Sequence, residues 1–245
     1  SKNINRAEKK LWTENNKGNK INLITSYNEI DESNKLLHNI INANKSTEVS
    51  YKNIVILYRT NAQSRVIEDT LRKANIPYKI IGGVKFYDRK EVKDILAYLR
   101  LICNHKDSVS FDRIINFPTR GIGLTTLDKL HEFSNQNNIF DSLGLIKGLS
   151  LGKKQIKSIT SFVTMINKYT SKSKKNNPSL ILKDLLDELN LNSYYTNLET
   201  SDSLDRWMNI EECLSSVVEY ENININPTLN GYLEEVSLLT DIDRW

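Results

Sequence analysis

Apolar residues follow two different periods along this chain, and the change between them falls close to residue 104. Upstream, the unbroken run Ile54-Val55-Ile56-Leu57-Tyr58 predicts a strand buried on both faces, as in a helix-covered parallel sheet. Ile21–Thr25 and Tyr78–Ile81 predict two shorter strands. Between them, Leu36, Leu37, Ile40 and Ile41 fall at helical spacing over 34–43, and a second helix is expected over Ser64–Ala74. Asp88 through Glu91 has the form of a capping box, and Val92, Ile95, Leu96, Leu99 and Ile102 mark one apolar face of the helix that follows. The expected order is a partial parallel sheet, βαβαβ, with right-handed crossovers. Downstream, strand-like runs vanish. Helices are predicted near 109–116, 124–137, 153–170, 178–190, 203–222 and 228–240. The fold class expected is therefore α/β plus all-α, with units at 1–104 and 105–245.

Composition narrows this picture without deciding it. A length of 245 residues allows one large domain or two ordinary ones, and 39% apolar with 26% charged residues reads as globular. No apolar run is long enough to span a bilayer and no signal peptide opens the chain, so no membrane partner is expected. The chain starts at Ser1 without a methionine, which reads as a trimmed fragment. The net charge of +4 is mild, although the first twenty residues are basic and the last fifty lean acidic. Cys103 and Cys213 sit in apolar helical patterns and are expected as buried, reduced thiols, consistent with a cytoplasmic location. The three histidines make no cluster with them, and no metal site is expected.

Three stretches could carry chemistry. In open parallel sheets ligands bind beyond the carboxyl ends of the strands, which points to Arg59-Thr60-Asn61-Ala62-Gln63-Ser64-Arg65 and to Gly82-Gly83-Val84-Lys85-Phe86. Arginine and amides beside a helix N-terminus can hold phosphate oxygens; the same residues also suit an ordinary polar loop with Ser64 as N-cap. In Thr119-Arg120-Gly121-Ile122-Gly123-Leu124-Thr125, two glycines about an isoleucine allow a tight hairpin. They bare N–H groups at the next helix start, a device for gripping the DNA backbone without reading bases. The alternative is a helix–helix turn that merely uses glycine. Gly148 to Lys154 imitates a phosphate loop but is one residue short of GxxxxGK[ST] and lacks the final hydroxyl. Lys153 and Lys154 there are a solvated helix end or a DNA backbone contact. No Ser-His-Asp, Cys-His or paired-carboxylate site can be defended. Leu204, Trp207 and Val218 are expected in the core.

LYRTNAQSRVIEDTLRKANIPYKIIGGVKFYDRKEVKDILAYLRLI followed by RIINFPTRGIGLTTLDKL resembles the UvrD/PcrA/Rep group of superfamily-1 DNA helicases, near-continuously over 12–130 and more weakly to the end. That resemblance implies a piece of an ATP-dependent 3′–5′ helicase active in DNA repair or replication. The first part would begin the second RecA-like subdomain, 2A, and the rest would be its helical insertion, 2B. Arg59 and Asn61, with Gln63, Ser64, Arg65, Lys85 and Phe86, would meet single-stranded DNA. Thr119, Arg120, Gly121, Ile122, Gly123 and Thr125, with Lys153 and Lys154, would meet duplex. ATP and Mg would be handled by other parts of the parent protein; the fragment itself is expected to hold no cofactor and no catalytic residue. Repair or replication proteins are possible partners. The rival expectations are a regulatory or protein-docking module with little DNA binding of its own, and the equivalent piece of a helicase-nuclease subunit.

Overall fold

A computed structural model describes residues 12–14, 16–46, 49–81, 83–134, 140, 150–197 and 200–241. Ten α-helices lie among them: α1 (Glu29–Ser46), α2 (Ser64–Lys73), α3 (Lys90–Cys103), α4 (Ser108–Ile114), α5 (Leu124–Ser134), α6 (Lys153–Ser173), α7 (Pro178–Glu188), α8 (Leu191–Thr196), α9 (Ser201–Ile223) and α10 (Leu229–Asp241). Three 3-10 turns, at Tyr51–Asn53, Asn61–Gln63 and Phe86–Asp88, punctuate the first hundred residues.

Helix α3 is the hub. Val92, Ile95, Tyr98, Leu99, Leu101 and Ile102 are all at most 1% exposed, and Glu91 and Asp94 are buried as well, so the helix is buried almost all round. It packs against α4, α6, α9 and α10. Each fully buried Leu- or Ile-sized side chain on it contributes roughly 1.5–3 kcal/mol. The large core built on it runs from Phe86 to Val236. A separate small cluster of Ile40, Leu71 and Ile76 joins α1 to α2, with Ile54 and Ile56 packed against it.

The expected βαβαβ sheet is not present: among the described residues there is no strand. Ile54 is extended, with φ −105° and ψ 132°, but among the described residues the predicted strand segments join no ladder. Ile54 and Ile56 turn toward the small cluster while Val55 and Leu57 are 78% and 90% exposed; Ile21, Leu23 and Ile81 are exposed as well. The unbroken apolar run called for cover on both faces, but a helix can cover only one face of such a segment. It supplies no backbone N–H or C=O to complete a ladder.

Three smaller expectations also need correcting. Asp88 does not cap α3: the cap residue is Arg89, Asp88 pairs with Lys93 at 2.6 Å, and Glu91 turns inward. Cys103, the last residue of α3, is exposed, whereas Cys213 is buried. Trp207 is half-buried against the core, but Leu204 and Val218 lie 49% and 41% exposed on α9. The helices downstream of residue 104 fall close to where periodicity put them; α8 had no distinct signal, and residues 135–137 of the predicted 124–137 helix lie outside the described residues. No helix among the described residues is long and apolar enough to cross a membrane.

Candidate nucleic-acid interface

The segment from Arg59 to Gln63 is a self-capped loop. Thr60 caps the 3-10 turn, and the Gln63 side-chain oxygen accepts from the N–H groups of Arg59 at 2.9 Å and Thr60 at 3.0 Å. With its backbone donors so occupied, the loop holds the Arg59 and Asn61 side chains out in solvent. Gln63 is also exposed, but its carbonyl oxygen serves the loop.

The residues that follow turn inward, against expectation. Ser64 is 2% exposed; it donates to Glu68 at 2.6 Å and accepts from Arg89 at 2.6 Å, so it is a buried relay and not an N-cap. Arg65, also 2% exposed, reaches Glu212 at 2.6 Å, both oxygens of Glu219 at 2.6 and 3.1 Å, and Asp69 at 3.3 Å. It stitches α2 to α9 and offers nothing to a nucleic acid. Burial alone would depress its pKa, yet the Glu219 hydrogen bonds and the charges of Glu212 and Glu219 outweigh that and raise it. Asp69 is pushed up to about 6 by burial, which exceeds the pull of Arg65 and Arg72.

The second loop departs from expectation in the same way. Phe86 is fully buried; its N–H donates to Glu68 at 3.2 Å and its ring lies 5.2 Å beneath the Arg89 guanidinium carbon. It cannot stack on a base. Lys85 is half-buried, with Nζ 5.9 Å from the Tyr78 ring centre. Gly82 lies outside the described residues. Glu68 collects Ser64, Arg72 and the Phe86 N–H, and burial still raises its pKa.

The Arg120–Gly123 loop is built on an internal frame. The Asn116 side-chain oxygen accepts from the N–H groups of Arg120 at 2.8 Å and Ile122 at 3.1 Å. Arg120 folds back over the end of α4, where Nη1 donates to the carbonyls of Phe117 at 2.6 Å, Ile114 at 3.0 Å and Ile115 at 3.3 Å. Nη2 donates to the Tyr98 hydroxyl at 2.6 Å, and Tyr98 in turn donates to the Phe117 carbonyl. Thus Arg120, half-buried, is a rivet of the loop, with Nη1 and Nη2 engaged inside the protein. Ile122, 4% exposed, plugs the large core. Gly121 takes φ +73°, the left-handed conformation that glycine tolerates and Ile122's burial requires.

What remains outward is backbone. Thr119, Gly121, Gly123, Leu124 and Thr125 are exposed. Among the described residues, no acceptor takes the N–H groups of Gly123, Leu124 or Thr125, which open α5 and lie at the positive end of its dipole. A side chain added at Gly123 would meet nothing within 4 Å, so the approach is open. Lys153 and Lys154 are exposed in the first turn of α6, which has no side-chain cap. The preceding segment is tied to α5 by Lys129, whose ammonium donates to the Ser150 carbonyl at 2.7 Å.

Four residues had no functional role in the sequence reading: Arg89, Asn209 and Glu91 form a buried chain, and Asn116 frames the Arg120–Gly123 loop. Their one signal was a polar or charged side chain inside or beside an apolar helical face, such as Asn209 beside Ile210.

The whole chain aligns with known proteins. The model of the UvrD-like helicase C-terminal domain matches residues 1–244. The chain is 38% identical over 244 residues to the ATP-dependent DNA helicase PcrA of Bacillus subtilis, covering 99% of this chain and 33% of that protein. It is 39% identical over 249 residues to the proteins of the same name in Staphylococcus epidermidis and Staphylococcus aureus, covering 98% of this chain and 34% and 33% of theirs. It therefore spans about a third of the length of the curated relatives it matches. On a family match that runs through both loops, the chain belongs to the UvrD-like helicase C-terminal domain family.

Proposed function

We propose that this chain is the DNA-gripping portion of an ATP-dependent 3′–5′ DNA helicase. Residues 1–104 begin the motor subdomain and residues 105–245 form the helical insertion. The exposed Arg59 and Asn61 side chains contact single-stranded DNA. The N–H groups of Gly123, Leu124 and Thr125, with Lys153 and Lys154 as auxiliary charge, contact duplex phosphates without reading bases. The observation that carries this reading is the start of α5: N–H groups that meet no acceptor among the described residues, on exposed positions of a loop whose Arg120 and Ile122 N–H groups are held by Asn116. Helix starts of that kind favour phosphate oxygens.

No stretch has the phosphate-loop spacing. In this reading ATP and Mg are held by other parts of the helicase, and no chemical step is assigned to this chain.

Thr125→Glu tests the duplex grip. A carboxylate in the first turn of α5 favours the helix dipole by about 0.3–1 kcal/mol, so stability holds or rises. The same charge repels a phosphate. Fluorescence titration of a labelled hairpin at low salt is expected to show weaker binding than the unsubstituted chain, and a flatter dependence on salt as phosphate contacts are lost. Unchanged hairpin affinity in T125E would refute the assignment.

A further inference from the structure

We propose that Arg89, anchored by Asn209 of α9, is the positioning residue of the 59–63 loop, so that the loop's hold on single-stranded DNA is set from α9. This rests on the reading of that loop as the single-strand contact. Arg89 is 8% exposed, and its Nη1 donates both to the Asn61 carbonyl and to Asn209 Oδ1, each at 2.8 Å. Nη2 donates to Ser64 Oγ at 2.6 Å, and Nε reaches the Val84 carbonyl at 3.4 Å. One cation thus holds the backbone of both loops that border the candidate single-strand surface.

Asn209 is what fixes that cation to the helical part of the chain. It is 3% exposed and donates from Nδ2 to Glu91 Oε1 at 2.5 Å, which leaves its oxygen facing Arg89. The position needs a donor toward Glu91 and an acceptor toward Arg89 on one planar group; a carboxamide supplies both. From α9 the chain of contacts runs through Arg89 to Ser64 and Glu68, and Glu68 closes it by accepting the Phe86 N–H. With α9 seated, the Asn61 carbonyl is held from behind while the Arg59 and Asn61 side chains stay on the open side. With the anchor lost, the loop must be ordered at the moment a strand binds, and that ordering subtracts from affinity.

The test compares two ligands on the same chain: a short oligo-dT for the 59–63 loop and a hairpin duplex for the start of α5. Asn209→Ala is expected to weaken oligo-dT binding by about fivefold or more and to leave hairpin affinity within about twofold, the range of a modest coupling between sites. The reciprocal exchange E91Q/N209D keeps one donor and one acceptor with their places swapped, and still presents an oxygen to Arg89. It is expected to restore oligo-dT affinity to within about twofold. Should N209A fail to fold, Arg89→Lys, which keeps the charge but cannot hold both acceptors, is read in the same way. Equal loss on both ligands, no loss on oligo-dT, or no rescue by the exchange would each overturn the proposal. Arg59→Ala with Asn61→Ala is the control: if it leaves oligo-dT binding intact, the loop is not the single-strand contact, and that reading fails first.

Discussion

Replacing Arg65 by alanine separates a buried structural cation from a nucleic-acid contact. The Arg65 side chain is 3% exposed, and its three carboxylate partners Asp69, Glu212 and Glu219 are 12%, 20% and 26% exposed. Its two shortest contacts, both 2.6 Å, cross from α2 to α9, and the pair of bonds to Glu219 is the forked arrangement that only arginine makes. Truncation removes the cation that Glu212 and Glu219 share, while Asp69 keeps Arg72 at 3.0 Å. Breaking a fully buried pair costs about 3–5 kcal/mol. Glu212 and Glu219 keep some access to water and would rehydrate, which puts the expected loss at the lower end, about 3 kcal/mol. For a chain of this size that corresponds to a fall in melting temperature of roughly 6–12 °C. Arg65→Lys, which keeps the charge but cannot fork, is expected to lie between. The triple exchange R65M/E212Q/E219Q, which removes cation and partner charges together, is expected to recover most of the loss. Thermal melts followed by circular dichroism in the absence of DNA read all three. An R65A protein as stable as the unsubstituted chain, within about 0.5 kcal/mol, would show the network to be an ordinary surface array and refute the reasoning.

Two further expectations follow from the same reading of buried charge. Arg120→Ala uncovers the carbonyls at the end of α4 and the Tyr98 hydroxyl, and should destabilise the chain by about 2–3 kcal/mol without any DNA present; a variant that melts normally yet loses hairpin affinity would return Arg120 to the phosphate surface. Asp69, raised from 3.8 to about 6, binds its proton more tightly folded than unfolded. Its contribution is therefore greatest below about pH 4 and declines as pH rises through 6, by roughly 3 kcal/mol in all. Asp69→Asn lacks that decline, so its stability relative to the unsubstituted chain should rise between pH 4 and 7, and a flat difference across urea titrations would count against the assignment.

The parts that the sequence made legible are those where side-chain periodicity alone determines the outcome. Helices α3, α6, α7 and α10 repeat Leu, Ile, Val or Tyr every three to four positions and bury most of those positions, whereas on α9 Ile210, Val217 and Tyr220 are buried but Leu204 and Val218 are not. The glycine hairpin was legible as a turn between helices, but Ile122, expected to meet duplex, is buried in the core instead, and Gly121 at φ +73° is what lets it turn in. The sheet was misjudged because an apolar run announces only that a segment wants cover. Whether Val55 and Leu57 obtain it depends on backbone partners elsewhere, which no local pattern encodes.

The misreading of α2 has a more instructive cause. Arg65, Glu68, Asp69 and Arg72 stand at i, i+3, i+4 and i+7, the spacing of one helix face, and a charged face is ordinarily the solvated one. Here it is buried, because α9 presents Glu212 and Glu219 seven residues apart, the same two-turn spacing, and the two faces close on each other. The complement lies about 150 residues away, so neither helix alone reveals which of its faces is dry. The same logic governs both candidate DNA loops. Arg65 and Arg120 are engaged in holding backbone and helices in place; the 59–63 loop keeps the Arg59 and Asn61 side chains outward, whereas the start of α5 keeps N–H groups outward.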